Sequence, residues 1–295
     1  MSLLNRPSDG LPSVLVAVFR TLLAFGPVPE LELIDLVAPA PALKPDMAKK
    51  TLTRWKQLGV ISSGGGSTIA LSPAFAAVRP DDSAQFRTEL LRVIFQEKNN
   101  ATLLLDEPDD DVPSGSADLC RALSWSLMQD PFTFPKNLHS VEALQGEQGI
   151  SPRAFANDTR WSGFQEWSVF LGMAINSGRG ITPNPALALA GFLDEIRDSK
   201  AEMLQSDFLR RASELIPVLD GGALRRRVES TVTTSWTVLN PSDISPSLSA
   251  ALLTLEASRK LRFELRSDAP EKNLLGRGAR SLRPFSHIIF DGSGR

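Results

Sequence analysis

Apolar positions recur at helical spacing from the start of the chain. Val14, Leu15, Val18, Phe19, Leu22 and Phe25 fall on one broad face. That face predicts a first helix, capped by Ser13 and closed by Gly26-Pro27. Leu33, Ile34, Leu36 and Val37 supply the stripe of a second helix. Pro29 suits its first position, Glu30 and Glu32 suit the positive end of its dipole, and Pro39 and Pro41 stop it. A third helix is expected from about Pro45 to Leu58, with Ala48, Leu52, Trp55 and Leu58 on its buried face. Val60-Ile61 and Ile69-Leu71 then give two short strands around Gly64-Gly65-Gly66. Helix, turn, helix, loop, helix and two strands is the order of a winged helix-turn-helix, expected over residues 11–78.

The pattern over residues 80–236 predicts a central helical block. Asp82 or Ser83 can cap a helix carrying Phe86, Leu90, Val93 and Ile94. Further helices are expected over Ser116–Gln129, around Trp161, Phe164, Trp167 and Met173, from Ala186 to about Met203, over Ser206–Val218 and over Leu224–Val228. A Pro/Asn/Gly-rich connection fills the chain up to about Asn157. Residues 240–291 change pattern. Ser245-Pro246 fits N-cap and first helical position before Leu248, Leu252 and Leu255. Leu261, Phe263 and Leu265 then alternate with Arg262, Glu264 and Arg266, as in a half-buried strand. A long polar loop with Gly276-Arg277-Gly278 leads to a partner strand at Ile288–Phe290. This repeats the second half of a winged helix. The expected fold is therefore mainly α with small β-wings: an N-terminal winged helix, a central helical block and a second winged-helix-like unit at the C-terminus.

Charge changes the picture locally. The chain as a whole carries a net charge of −2, so any nucleic-acid contact must come from patches. The third helix and its approach hold Lys44, Lys49, Lys50, Arg54 and Lys56 against Asp46. Lys49, Lys50, Thr53, Arg54 and Gln57 are expected on its polar face. Such a helix can lie in a major groove of double-stranded DNA, with Lys on phosphates and Arg54 or Gln57 at base edges. From Arg259 to Arg295 there are nine Lys/Arg against four Asp/Glu. Arg277, Arg280 and Arg283 in the loop make this a second candidate contact to a polyanion. The alternatives are solvated basic faces and winged helices that dock proteins. Arg225-Arg226-Arg227 can likewise grip phosphate or simply lie at the surface.

The search for chemistry excludes more than it finds. Cys120, His139 and His287 are the only soft ligands, at no metal-site spacing, and a single cysteine excludes an internal disulfide. The acidic run Asp106, Glu107, Asp109, Asp110 and Asp111 lacks the spacing of a calcium loop and is expected to be solvated. The triple glycine lacks the Gly-Lys-Ser/Thr of a phosphate loop. Asp194, Glu195, Asp198 and Lys200 sit in a helical pattern, not on the paired strands of a metal nuclease. No catalytic residue, metal or cofactor is expected. No run of 18 uncharged apolar residues is present, which leads to the expectation of a cytoplasmic protein without membrane spans.

The opening Asn5-Arg6-Pro7-Ser8-Asp9-Gly10-Leu11-Pro12, followed by the winged-helix pattern, resembles the DpdG proteins. These belong to the bacterial gene cluster that places 7-deazaguanine in DNA and restricts unmodified DNA. The resemblance brings no catalytic residues to carry over. It implies a restriction or anti-phage setting and agrees with a DNA-binding accessory role, with other proteins of the same system as expected partners. A protein-docking adaptor and a transcriptional regulator are the alternatives. The oligomeric state is not set by the sequence.

Overall fold

The structure is a computed structural model that describes residues 3–4, 11–39, 45–64, 67–105, 115–234 and 239–291. The opening motif up to Gly10, Lys44, the Gly65-Gly66 pair and the acidic run at residues 106–111 lie outside the described residues. In chain order the elements are α1 (Pro12–Phe25), β1 (Val28–Pro29), α2 (Glu30–Val37), α3 (Pro45–Leu58), β2 (Ile61–Ser63), β3 (Thr68–Leu71), α4 (Pro73–Ala76) and α5 (Ser83–Ile94). Then come α6 (Ala117–Met128), α7 (Leu138–Glu147), α8 (Asp158–Phe170), β4 (Ala174–Asn176), β5 (Ile181–Pro183) and α9 (Ala186–Arg197). The chain closes with β6 (Glu202–Leu204), α10 (Gln205–Leu215), α11 (Ala223–Glu229), α12 (Pro246–Ala257), β7 (Leu261–Glu264), β8 (Lys272–Leu275), β9 (Ser281–Phe285) and β10 (His287–Phe290). The protein is mainly helical, with small antiparallel sheets.

Two compact units emerge. One comprises Met1–Leu119 with Asn157–Phe170, the other Cys120–Ala156 with Leu171–Arg295. In the first unit α1, α2 and α3 pack on one another, and their apolar stripes are closed by a three-stranded sheet of order β1-β3-β2. Val28 pairs with Ile69, and Ile61 with Leu71. Aromatic rings fill the core: Phe19 stacks on Phe86 at 4.0 Å between centroids, and Trp55 meets Trp167 at 5.5 Å. α5 starts where Asp82 accepts a hydrogen bond from the Gln85 N–H at 2.8 Å, which holds its carboxyl below the usual range. α8 is buried through Trp161, Phe164 and Trp167, so the aromatic stripe is core.

The second unit is built around α9 and α12, which pack on each other; Leu189 and Phe192 of α9 and Leu248 and Leu252 of α12 are buried. Its three-stranded sheet has the order β6-β10-β7, with Ile288 opposite both Met203 and Phe263. Residues 80–236 are thus not all-helical, as β4, β5 and β6 lie within them. The helix expected to reach Met203 ends at Arg197. Asp198 and Ser199 adopt left-handed φ of 51° and 63°, and the chain turns into β6. β6 exists because β10, far along the chain, offers it an edge; local pattern carries no trace of that partner. α7 is also additional to the expected elements, within the stretch taken as a connection. The long C-terminal loop is itself ordered into the hairpin β8-β9. The alternation at Leu261 to Glu264 holds, but β7 ends there and Leu265 is 53% exposed.

The two three-stranded sheets share one topology. Helix, strand, helix, helix, strand, strand with order first-third-second describes α1-β1-α2-α3-β2-β3. The same description fits α9-β6-α10-α12-β7-β10, with α11 inserted before α12 and the β8-β9 hairpin inserted between the last two strands.

Candidate nucleic-acid interface

The third helix of each repeat is the element to compare. On α3 the buried residues are Ala48, Thr51, Leu52, Arg54, Trp55 and Leu58. Lys49, Lys50, Thr53 and Gln57 are exposed. The expectation for Arg54 is corrected: its relative exposure is 0%, and it belongs to the inner face. Positions 51, 54, 55 and 58 follow i, i+3, i+4, i+7, so the inner stripe is wider than its apolar members and takes in Thr51 and Arg54. That spacing was the available signal. Lys56 is drawn aside, its ammonium 2.7 Å from Glu30 on α2. Lys49 and Lys50 make no ion pair among the described residues. The Thr53 hydroxyl donates to the Lys49 carbonyl at 3.0 Å, which leaves its oxygen free to accept.

The exposed face of α3 therefore carries Asp46 in its first turn, then two cations, a hydroxyl and an amide. The set from Lys49 onward suits phosphate oxygens and base edges. Its neighbour is less suitable. α2 exposes Glu32 and Asp35, and also the apolar Leu31 at 74% and Leu36 at 45%.

α12, the counterpart of α3, is different. It carries no basic residue, and only Thr254 and Ala257 of its twelve residues are exposed. The β8-β9 hairpin packs on it. The Leu275 N–H donates to Ser249 Oγ at 2.8 Å, and Arg283 reaches Glu256 at 2.6 Å with its guanidinium 5.0 Å over the Phe263 ring. β8 is also tied to the segment before α12, where Asn273 Nδ2 donates to Asp243 Oδ1 at 3.0 Å.

The C-terminal basic excess is neutralised only in part: of the eight described Lys/Arg from Arg259 onward, Arg262, Arg266 and Arg283 are ion-paired. Arg262 pairs with Glu264, and Arg266 with Glu202 and Glu264. These carboxylates hold the Arg266 guanidinium above its ordinary range, and Arg266 in turn holds Glu202 below its own. Two of the three loop candidates remain open: Arg277 and Arg280 are exposed at the hairpin tip and make no ion pair among the described residues. Gly278 between them adopts φ 64° and donates its N–H to Asp130 at 2.7 Å, which fixes the tip. The triple arginine divides. Arg225 is 1% exposed and bound to Asp220 and Glu229, while Arg226 is exposed.

Among the described residues no group of three or more His, Cys, Asp or Glu can hold a metal ion. No helix among them is long and apolar enough to cross a membrane.

A family model described as DpdG-like matches residues 1–269. No curated protein and no solved structure matches the chain.

Proposed function

The chain belongs to the DpdG-like family, and on that premise we propose that it is a non-enzymatic, DNA-binding component of the bacterial 7-deazaguanine modification and restriction system. The element order and the β1-β3-β2 sheet support reading residues 11–78 as a winged helix-turn-helix, and the β6-β10-β7 repeat supports a second such unit. The observation that carries the proposal is the outer face of α3. Lys49 and Lys50 stand there without carboxylate partners among the described residues, beside Thr53 and Gln57. The two lysines hold phosphates, and Gln57 is the residue placed to meet a base edge. Arg277 and Arg280 add a lesser phosphate contact. Arg283, engaged with Glu256, does not.

The test is fluorescence anisotropy with a random 30-base-pair duplex over a salt series, comparing wild type with Lys49→Ala/Lys50→Ala. Each lost phosphate contact removes about 0.9 from the slope of log K against log salt, so the double variant is expected to lose about 1.8. An unchanged slope removes α3 from the interface. Absence of any salt-sensitive binding defeats the DNA reading.

A second reading, a protein-docking adaptor, has its own observation. Leu31 and Leu36 are exposed on α2 beside Glu32 and Asp35, a surface that suits a protein more than a phosphate backbone. Failure to bind DNA together with co-purification of another protein of the system selects it. Selectivity for one short site selects a transcriptional regulator instead.

A further inference from the structure

The turn after α6 leaves an aromatic ring at the surface of the second unit. Asp130-Pro131-Phe132-Thr133 is a β-turn, closed by the Thr133 N–H donating to the Asp130 carbonyl at 3.2 Å, with proline at its second position. Two phenylalanines here have opposite fates. Phe134 is 2% exposed, and its ring lies 6.0 Å from that of Trp125. Phe132, at the third position of the turn, is 55% exposed.

A single exposed apolar side chain is ordinary. What sets Phe132 apart is where its backbone is tied. The Asp130 carboxylate bridges the turn to the β8-β9 hairpin: one oxygen accepts the Phe132 N–H at 2.8 Å, the other the Gly278 N–H at 2.7 Å. Phe132 is thereby held beside the hairpin tip, where Arg277 and Arg280 are exposed and make no ion pair among the described residues.

The tip itself is braced. The Gly276 N–H donates to the Arg280 carbonyl at 2.8 Å, and Gly278 and Ala279 take left-handed φ of 64° and 57°. Alanine rarely adopts that conformation, and such strain persists only where the surroundings enforce it. Leu282, 50% exposed, lies against Gly276 at the foot of the turn.

An exposed ring beside two uncompensated guanidinium groups is complementary to a nucleotide whose base is unstacked. Every base has a π face for the ring, and the phosphates on either side take the arginines. A base inside a duplex offers the phosphates but hides its face. We propose that Phe132, with Arg277 and Arg280, forms a site for single-stranded DNA, without preference among the four bases. The inference rests on the DNA reading of the chain, but none of its residues lies on α3.

The test is fluorescence anisotropy of the full chain with a blunt 30-base-pair duplex and with the same duplex carrying a single-stranded tail of about ten nucleotides, at the 3′ end in one probe and at the 5′ end in another. At least one tailed duplex is expected to bind about tenfold tighter than the blunt one, a ratio of the size that one stacked base supplies. Phe132→Ala is expected to remove that advantage and to leave the affinity for blunt duplex and the Tm unchanged, because the ring is exposed. Phe132→Trp should keep the advantage. Lys49→Ala/Lys50→Ala should weaken blunt and tailed binding alike and preserve their ratio. Equal binding of blunt and tailed duplexes overturns the proposal while the DNA reading stands. So does a Phe132→Ala variant that keeps the advantage, or one that weakens both kinds of DNA to the same degree. Absence of binding to every probe defeats the DNA reading and this site with it.

Discussion

Arg225 sits inside the second unit between Asp220 and Glu229, and also donates to the Leu127 carbonyl at 3.2 Å. A buried guanidinium is tolerated because its Nε and Nη1 find three acceptors, two of them carboxylates. Removing the cation strands two carboxylates, and breaking a buried pair on one side costs about 3–5 kcal/mol. Arg225→Met is therefore expected to destabilise by roughly that amount in urea unfolding. Arg226→Ala, one position on and exposed, should change little. A sequence shows three identical residues here; only the turn of α11 decides which one faces Asp220. Arg54 teaches the same lesson on α3. Asp82 is the opposite case, a cap legible from sequence and found in place. Asp82→Ala should cost about 1 kcal/mol. Its carboxyl is held below the ordinary range, so the cap's contribution is present above the unfolded-state value and is lost as pH falls through the folded one. Acid unfolding of the Ala variant should accordingly depend less steeply on pH than that of wild type.

The helices that sequence periodicity located best are those with a strong local frame. α3 begins and ends where Pro45 and Leu58 place it, and α12 begins at the Ser245 cap, whose Oγ accepts from the Leu248 N–H at 3.3 Å. Of the strands not legible in the sequence, β1 and β6 carry the least local signal. β1 has two residues and β6 three, and each is a strand only because a remote edge pairs with it. The open face of α3 was legible in Lys49, Lys50, Thr53 and Gln57. The covered state of α12 was not, because the hairpin that covers it lies in a stretch rich in Gly and Arg. Ser249 makes that cover testable. Its hydroxyl is 0% exposed and is the acceptor for the first N–H beyond the register shift in β8. Ser249→Ala leaves the Leu275 N–H buried without its partner, at a cost of about 1–3 kcal/mol. Hydrogen exchange should show faster exchange in β8 and β9 while α9 remains protected. Equal protection of the hairpin in both proteins would mean that Ser249 does not hold it.

At the scale of the whole molecule, the chain uses one topology twice and leaves only one third helix open. α3 presents cations outward; α12 presents none and lies under its own hairpin, whose tip then carries the exposed arginines. On the proposed DNA reading, α12 offers no phosphate contact in the second unit, whereas Arg277 and Arg280 of the inserted hairpin do. This leads to different expectations for the two basic pairs. Lys49→Ala/Lys50→Ala removes contacts from a surface that also bears Gln57, so it should reduce both the salt slope, by about 1.8, and any preference among sequences. Arg277→Ala/Arg280→Ala should lower affinity evenly across sequences, because a hairpin tip without an adjoining recognition face reaches only the backbone. Measuring both double variants on several unrelated duplexes, each over a salt series, separates the roles. If the arginine pair instead changes sequence preference, the hairpin is the reading element. The covered α12 would then be its support, a helix whose task is to hold the tip in place.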